Sequence, residues 1–292
     1  MHRWFPDGKG NMAYNCLDRH VKDGFGDRVC FYEDSVYTGK QRAWTYKEVM
    51  EESGKLATVM KEQFGVGKGD RVVIYMPMIV ESAFTMLACQ RLGAIHSVVF
   101  GGFAPKELAN RVDNCEPKLL VTGSCGIEPN KHIMYAPIVE EALNEHCEMP
   151  GAAQLPRLIK QRNELDGAIR AEGLDTSVYH DYDELMAATT EVAECEVLDA
   201  NHPSYILYTS GTTGAPKGVV RDVGGTMVAL RWATENVYNL SREKTVFATS
   251  DIGWIVGHSV IMYGPLLLGA SSVFFEGKPI TPNPGIVWEK VQ

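Results

Sequence analysis

From about residue 70 onward, short β-rich runs alternate with longer stretches whose apolar residues recur at helical spacing. This restricts the chain to an α/β fold of βαβ units on a largely parallel sheet. Residues 71–76 predict a buried strand, 79–92 a helix capped by Gly93, and 94–100 a strand stopped by Gly101 and Gly102. A helix over 104–115 and a strand over 118–122 continue the rhythm. Later come a strand over 204–209, a helix over 223–238, a strand over 245–250, a helix over 258–268 and a strand over 270–276. Residues 148–203 interrupt it with Pro150, Gly151, Pro156 and the acidic stretch 191–199, and predict a short surface helix or two leading back to the sheet.

The strand over 204–209 runs into Tyr208, Thr209, Ser210, Gly211, Thr212, Thr213, Gly214, Ala215, Pro216, Lys217 and Gly218. Three glycines let backbone N–H groups approach a ligand closely, the hydroxyls add donors, and Lys217 adds a positive charge. The composition predicts an anion nest rather than a hairpin. A P-loop requires glycine before its lysine and a serine or threonine after it, whereas Pro216 and Gly218 stand there. A surface loop rich in glycine and hydroxyl residues is the plainer alternative.

The net charge is 28 − 37 = −9, which provides no field to attract nucleic acid. Seven scattered cysteines form no CxxC pair and suit reduced thiols in an intracellular compartment, the cytoplasm first and an organelle matrix second. The histidines show no metal-ligand spacing. The N-terminus lacks a secretory pattern, and the longest apolar stretch, 252–269, is broken by glycines, a histidine and a proline, so no membrane span is expected.

The pattern from Thr209 to Gly218 resembles the signature loop of adenylate-forming enzymes. Four other segments are similar to the short-chain acyl-CoA synthetases of that superfamily, propionyl-CoA synthetases above all. They are Arg3, Trp4 and Phe5 with residues 15–20; residues 92–103; Arg221 to Gly225; and 250–259 with 263–266 and 275–277.

The resemblance implies ATP, Mg2+ and coenzyme A as cofactors, a short-chain carboxylate as substrate, and a layered fold of βαβ sheets. It places Thr209, Ser210, Gly211, Thr212, Thr213, Gly214, Lys217 and Gly218 on the ATP phosphates, with Lys217 and Thr209 acting in the adenylation chemistry. Trp254, Ile255 and Val256 match positions near the acyl pocket, where an apolar Val256 favours propionate over acetate. Val256 also lies on the route of the arriving thiol. Phe100, Gly101, Gly102 and Lys131 match places that contact coenzyme A. Plainer readings stand beside these: Trp254 and His258 as core residues, and Gly101 and Gly102 as a tight turn.

Residues 1–60 are expected to form an N-terminal lead segment and 61–292 the first part of the AMP-binding domain. Residues 285–292 read as a helix in progress. In relatives the magnesium, adenine and ribose motifs and the C-terminal lysine come later, and the small C-terminal domain is expected to be missing from this stretch as well. The expectation is a synthetase fragment unable to complete the reaction alone, or else a non-catalytic nucleotide-binding module.

Overall fold

The computed structural model describes residues 4–129, 131–163, 170–209 and 216–291. Its centre is a seven-stranded sheet in the order Tyr179–Asp181, Arg157–Lys160, Leu119–Gly123, Arg71–Tyr75, Ile95–Val98, Pro203–Thr209, Lys217–Asp222. The first six strands run parallel, and the last is antiparallel to its neighbour.

Alternation along the strands builds two cores, because successive side chains point to opposite faces. Val72 and Ile74 pack with Leu56, Met60, Ala83 and Leu87, which come from the helices Tyr46–Phe64 and Val80–Leu92. Val73 and Tyr75 pack on the other face with Leu108 and Val112 of the helix Pro105–Cys115. Every residue of Val80–Leu92 is buried, and its end is set by Gly93 at φ 68°, whose N–H reaches Cys89 O. The helix Tyr46–Phe64 opens on a capping box: Thr45 Oγ1 accepts from Glu48 N–H while Glu48 Oε2 accepts from Thr45 N–H.

A second, four-stranded sheet joins distant parts of the chain in the order Thr245–Val246, Ser271–Glu276, Val29–Ser35, Gln41–Thr45. The N-terminal segment is also tied down by a buried ion pair. Arg91 Nη1 and Nη2 lie 3.1 and 2.8 Å from Asp18 Oδ1 and Oδ2. Arg91 is buried to 1% exposure, so most of its charge is neutralised by this one carboxylate.

Three expectations need correction, the first being the strand over 245–250, which covers only Thr245–Val246. The stretch 148–203 supplies two strands of the main sheet, Arg157–Lys160 and Tyr179–Asp181, besides the helix Tyr182–Ala188. The segment after Thr209 does close a hairpin: Lys217–Asp222 returns antiparallel on Pro203–Thr209, with Thr209 opposite Lys217. No described helix is long and apolar enough to cross a membrane, and no disulfide forms among the described residues.

Candidate functional site

In an open parallel sheet, ligands bind outside the carboxyl ends of the strands, where successive connections depart to opposite sides. Here that switch lies at Arg71–Tyr75, flanked by Ile95–Val98 on one side and Leu119–Gly123 on the other. The segments that leave these three strands line a cavity of about 270 Å3: Pro77 and Met78, then Phe100, Gly101 and Gly102, then Gly126, Ile127 and Glu128. Asp251, Glu276 and Lys278 complete much of its polar lining.

The glycines of this wall are required by close approach. A Cβ on Gly101 would stand 2.2 Å from Tyr135 Oη, and one on Gly126 would stand 2.6 Å from the same atom. Tyr135 is itself 3% exposed and lines the cavity, so its hydroxyl is wedged between the two backbones. Burial raises its pKa well above the usual tyrosine value. Beside it, burial pushes the Asp251 carboxyl up to about 6, against the opposing hydrogen bond from Gly253 N–H to Oδ1 at 2.7 Å. Glu276 is held by Arg162 at 2.8 and 2.9 Å and by Ser35 Oγ at 2.7 Å.

Of the residues singled out for coenzyme A, Phe100, Gly101 and Gly102 line the cavity and Lys131 does not. Lys131 stands exposed on the hairpin Cys125–Glu128 and Lys131–Met134, opposite Glu128 in register. The cation on the cavity wall is Lys278, which pairs with Glu128. Trp254, Ile255 and Val256 lie beside the cavity with exposures of 47, 46 and 46%. The Trp254 ring rests 5.7 Å from Phe100 and 6.1 Å from Phe103, which brings the acyl and thiol candidates together.

The described phosphate candidates are placed by strand pairing. Pro203–Thr209 runs parallel to Ile95–Val98, with Tyr205 opposite His96, so Thr209 ends its strand at the same carboxyl edge of the sheet that Phe100 follows. Thr209 and Lys217 are exposed at the mouth of the hairpin. A Cβ on Gly218 would meet Ile206 Cγ2 at 2.9 Å and the Tyr208 ring at 3.2 Å, so sheet packing gives glycine a role there apart from any ligand. Ser210, Gly211, Thr212, Thr213 and Gly214 lie outside the described residues.

A buried column of rings supports both parts of the site. His96 stacks at 5.5 Å on Tyr205 and at 5.3 Å on His258, and its Nε2 lies 2.5 Å from Tyr263 Oη. His258 Nδ1 donates to Trp254 O at 3.2 Å. Burial pulls His258 down to about 4 and lowers His96 as well, so both rings are neutral near pH 7. Arg111 makes a second bridge, with its guanidinium 4.6 Å over Phe103 and 5.5 Å over Tyr208. Sequence reasoning missed Tyr135, Lys278 and Arg111, none of which sits in a motif. Asp251 was in a quoted motif, but its burial is visible only in the fold.

Among the described residues, no group of three or more His, Cys, Asp or Glu side chains could hold a metal ion. The expected Mg2+ therefore has no protein cage among them.

Comparison with known proteins gives a consistent match along the chain. It is 48% identical to the human acyl-CoA synthetase short-chain family member 3, mitochondrial, over 97% of its own length and 40% of that protein. It is 43% identical to the acetyl-coenzyme A synthetase of Streptomyces avermitilis, over 99% of its length and 43% of that protein. The Dictyostelium discoideum acyl-CoA synthetase short-chain family member B, mitochondrial, is 40% identical over 99% of the chain and 42% of the relative. The chain thus spans about two fifths of the length of these relatives. With the family profile matched from residue 17 to residue 292, the chain belongs to the AMP-binding enzyme family.

Proposed function

We propose that the chain carries the nucleotide- and carboxylate-binding part of an AMP-forming synthetase that makes acyl-CoA from short-chain acids. In the first step a carboxylate oxygen attacks the α-phosphorus of ATP and pyrophosphate leaves. In the second, the thiol of coenzyme A loses its proton, its sulfur attacks the acyl carbonyl, and AMP leaves. The first step calls for neutralised charge around the triphosphate rather than for a nucleophilic side chain. Lys217, the Thr209 hydroxyl and the loop that follows are the groups assigned to that work.

The observation that carries this reading is the parallel pairing of Tyr205 with His96. It sets the ends of two adjacent strands, roughly 4.8 Å apart, side by side, so Thr209, which leads into the segment assigned to phosphate, lies at the same sheet edge as the Phe100 wall assigned to the thiol carrier. The printed names of the human and Streptomyces relatives support the same chemistry. Val256 supports propionate over acetate. Residues 1–60 are read as a lead segment and 61–292 as part of the adenylation domain. The names of the human and Dictyostelium relatives, both mitochondrial, favour a mitochondrial location over the cytoplasm.

The test is carboxylate-dependent exchange of pyrophosphate into ATP. It is run on the 292-residue chain and on a fusion that adds a curated relative's sequence beyond the matched region. Exchange in the fusion supports the synthetase. Nucleotide binding without exchange in either form would favour a non-catalytic nucleotide-binding module.

A further inference from the structure

The segment bearing Trp254, Ile255 and Val256 is half exposed, and burial alone does not fix it. Its position comes from the turn before it. Asp251 Oδ1 accepts the Gly253 N–H at 2.7 Å, Asp251 O accepts the Trp254 N–H at 3.1 Å, and Ile252 N–H points at Met78 Sδ at 3.3 Å. The turn is pressed against the opposite wall: a Cβ on Gly253 would lie 3.0 and 3.1 Å from Phe100 Cα and N. It is equally tight behind, where a Cβ on Gly257 would lie 2.2 Å from Asp251 O. Phe100, Phe103 and Trp254 then close into an aromatic triad with centroids 5.6 to 6.1 Å apart.

We infer that Asp251 is a positioning residue. Its carboxylate pins the turn that seats Trp254 on Phe100, so the acyl wall and the thiol cradle behave as one unit. The inference rests on the functional reading above for the meaning of those two walls, but the mechanical coupling stands on the contacts alone. The task needs one acceptor oxygen aimed at the Gly253 N–H, which the carboxylate supplies and a side-chain amide would supply as well. Its side chain is also short enough to reach the N–H two residues on, the usual reach of an aspartate in a turn.

Amide hydrogen exchange on the 292-residue chain tests the coupling without any activity. Asp251→Ala is expected to speed exchange in the peptide over 248–257 and also in the peptide over 98–104. Asp251→Asn, which keeps an acceptor oxygen, is expected to leave both near wild type. Acceleration confined to 248–257, or equal acceleration in the Asn and Ala variants, would overturn the inference. Should Asp251→Ala lose the fold, Trp254→Ala serves instead: it removes the ring from Phe100 and is expected to free 98–104 while the Gly253 amide stays protected.

In the active fusion, Asp251→Ala is expected to raise the half-saturating concentrations of both the carboxylate and coenzyme A by about tenfold while the rate of pyrophosphate exchange at saturating carboxylate changes less than about threefold, with Asn restoring most of the loss. A fall in the maximal rates with both half-saturating concentrations unchanged would mark a merely structural role. Absence of exchange in the wild-type fusion would sink the synthetase reading and leave the hydrogen-exchange result to decide the coupling.

Discussion

Thr209 stands directly across the antiparallel ladder from Lys217, so one residue pair closes the loop assigned to phosphate. Both side chains are exposed, and Lys217 has no ion-pair partner among the described residues. Its charge is therefore available to a ligand rather than spent on the fold.

Removing that charge separates chemistry from stability. Lys217→Ala is expected to leave the melting temperature of the chain unchanged within measurement, because exposed substitutions usually shift stability by less than about 0.5 kcal/mol. In an active fusion it is expected to slow adenylation by about 100-fold, the scale for loss of one charge-stabilising group. Thioester formation from pre-made adenylate is expected to change far less. Equal slowing of both half-reactions would contradict a role on the phosphates.

The Arg91 and Asp18 pair gives a stability prediction. Asp18→Ala leaves a guanidinium buried to 1% exposure, and urea unfolding is expected to show a loss of about 3–5 kcal/mol. Replacing both partners, Arg91→Met with Asp18→Leu, is expected to recover most of that loss. A double variant as weak as the single one would argue that the pair does more than neutralise itself.

Two groups near the site respond to acid in opposite directions. His258 is held neutral with a pKa of about 4, so the unfolded chain takes up its proton first, and stability falls as pH drops from 6.5 towards 4. At pH 5 this amounts to about 2 kcal/mol. Asp251 is raised from 3.8 to about 6. The folded chain therefore protonates first, and that group adds stability as pH falls through 6. Melting temperatures at pH 7 and pH 5 are expected to fall further apart in Asp251→Asn and to draw together in His258→Gln. The reverse order in either variant would refute the assignment.

Gly101 faces Tyr135 Oη so closely that Gly101→Ala is expected to cost about 1–3 kcal/mol by overpacking. Tyr135→Phe in the same chain removes the clashing oxygen and is expected to restore much of it. Thermal melts of the two single variants and the double variant give the coupling. Additive effects would mean that the backbone, not the hydroxyl, sets the contact.

Val256→Thr, assayed in the active fusion, is expected to shift the ratio of kcat/KM for acetate over propionate towards acetate by about tenfold. The value of one methylene in an apolar pocket sets that scale. An unchanged ratio would remove Val256 from the acyl wall.

Legibility followed the strength of the local pattern. Val72 to Tyr75 was plain in sequence because it is an unbroken apolar run, and the helix Val80–Leu92 because its apolar residues recur at helical spacing before Gly93. Arg157–Lys160 and Tyr179–Asp181 were not, since a buried Arg157 and the polar His180 and Asp181 disguise short strands. The strand Lys217–Asp222 has only Val219 and Val220 as apolar residues, five of its six residues are exposed, and it exists through the hydrogen bonds of its neighbour.

The sequence by itself determined the alternating elements, the glycines that end them and the composition of the loop, because each depends on residues close together in the chain. Tertiary structure alone decided that Val29–Ser35 lies beside Ser271–Glu276, that Tyr135 and Asp251 meet at one cavity, and that Lys278 rather than Lys131 stands on its wall. Those facts arise from the packing of segments far apart in sequence, and local periodicity carries no record of which distant surface a side chain will meet.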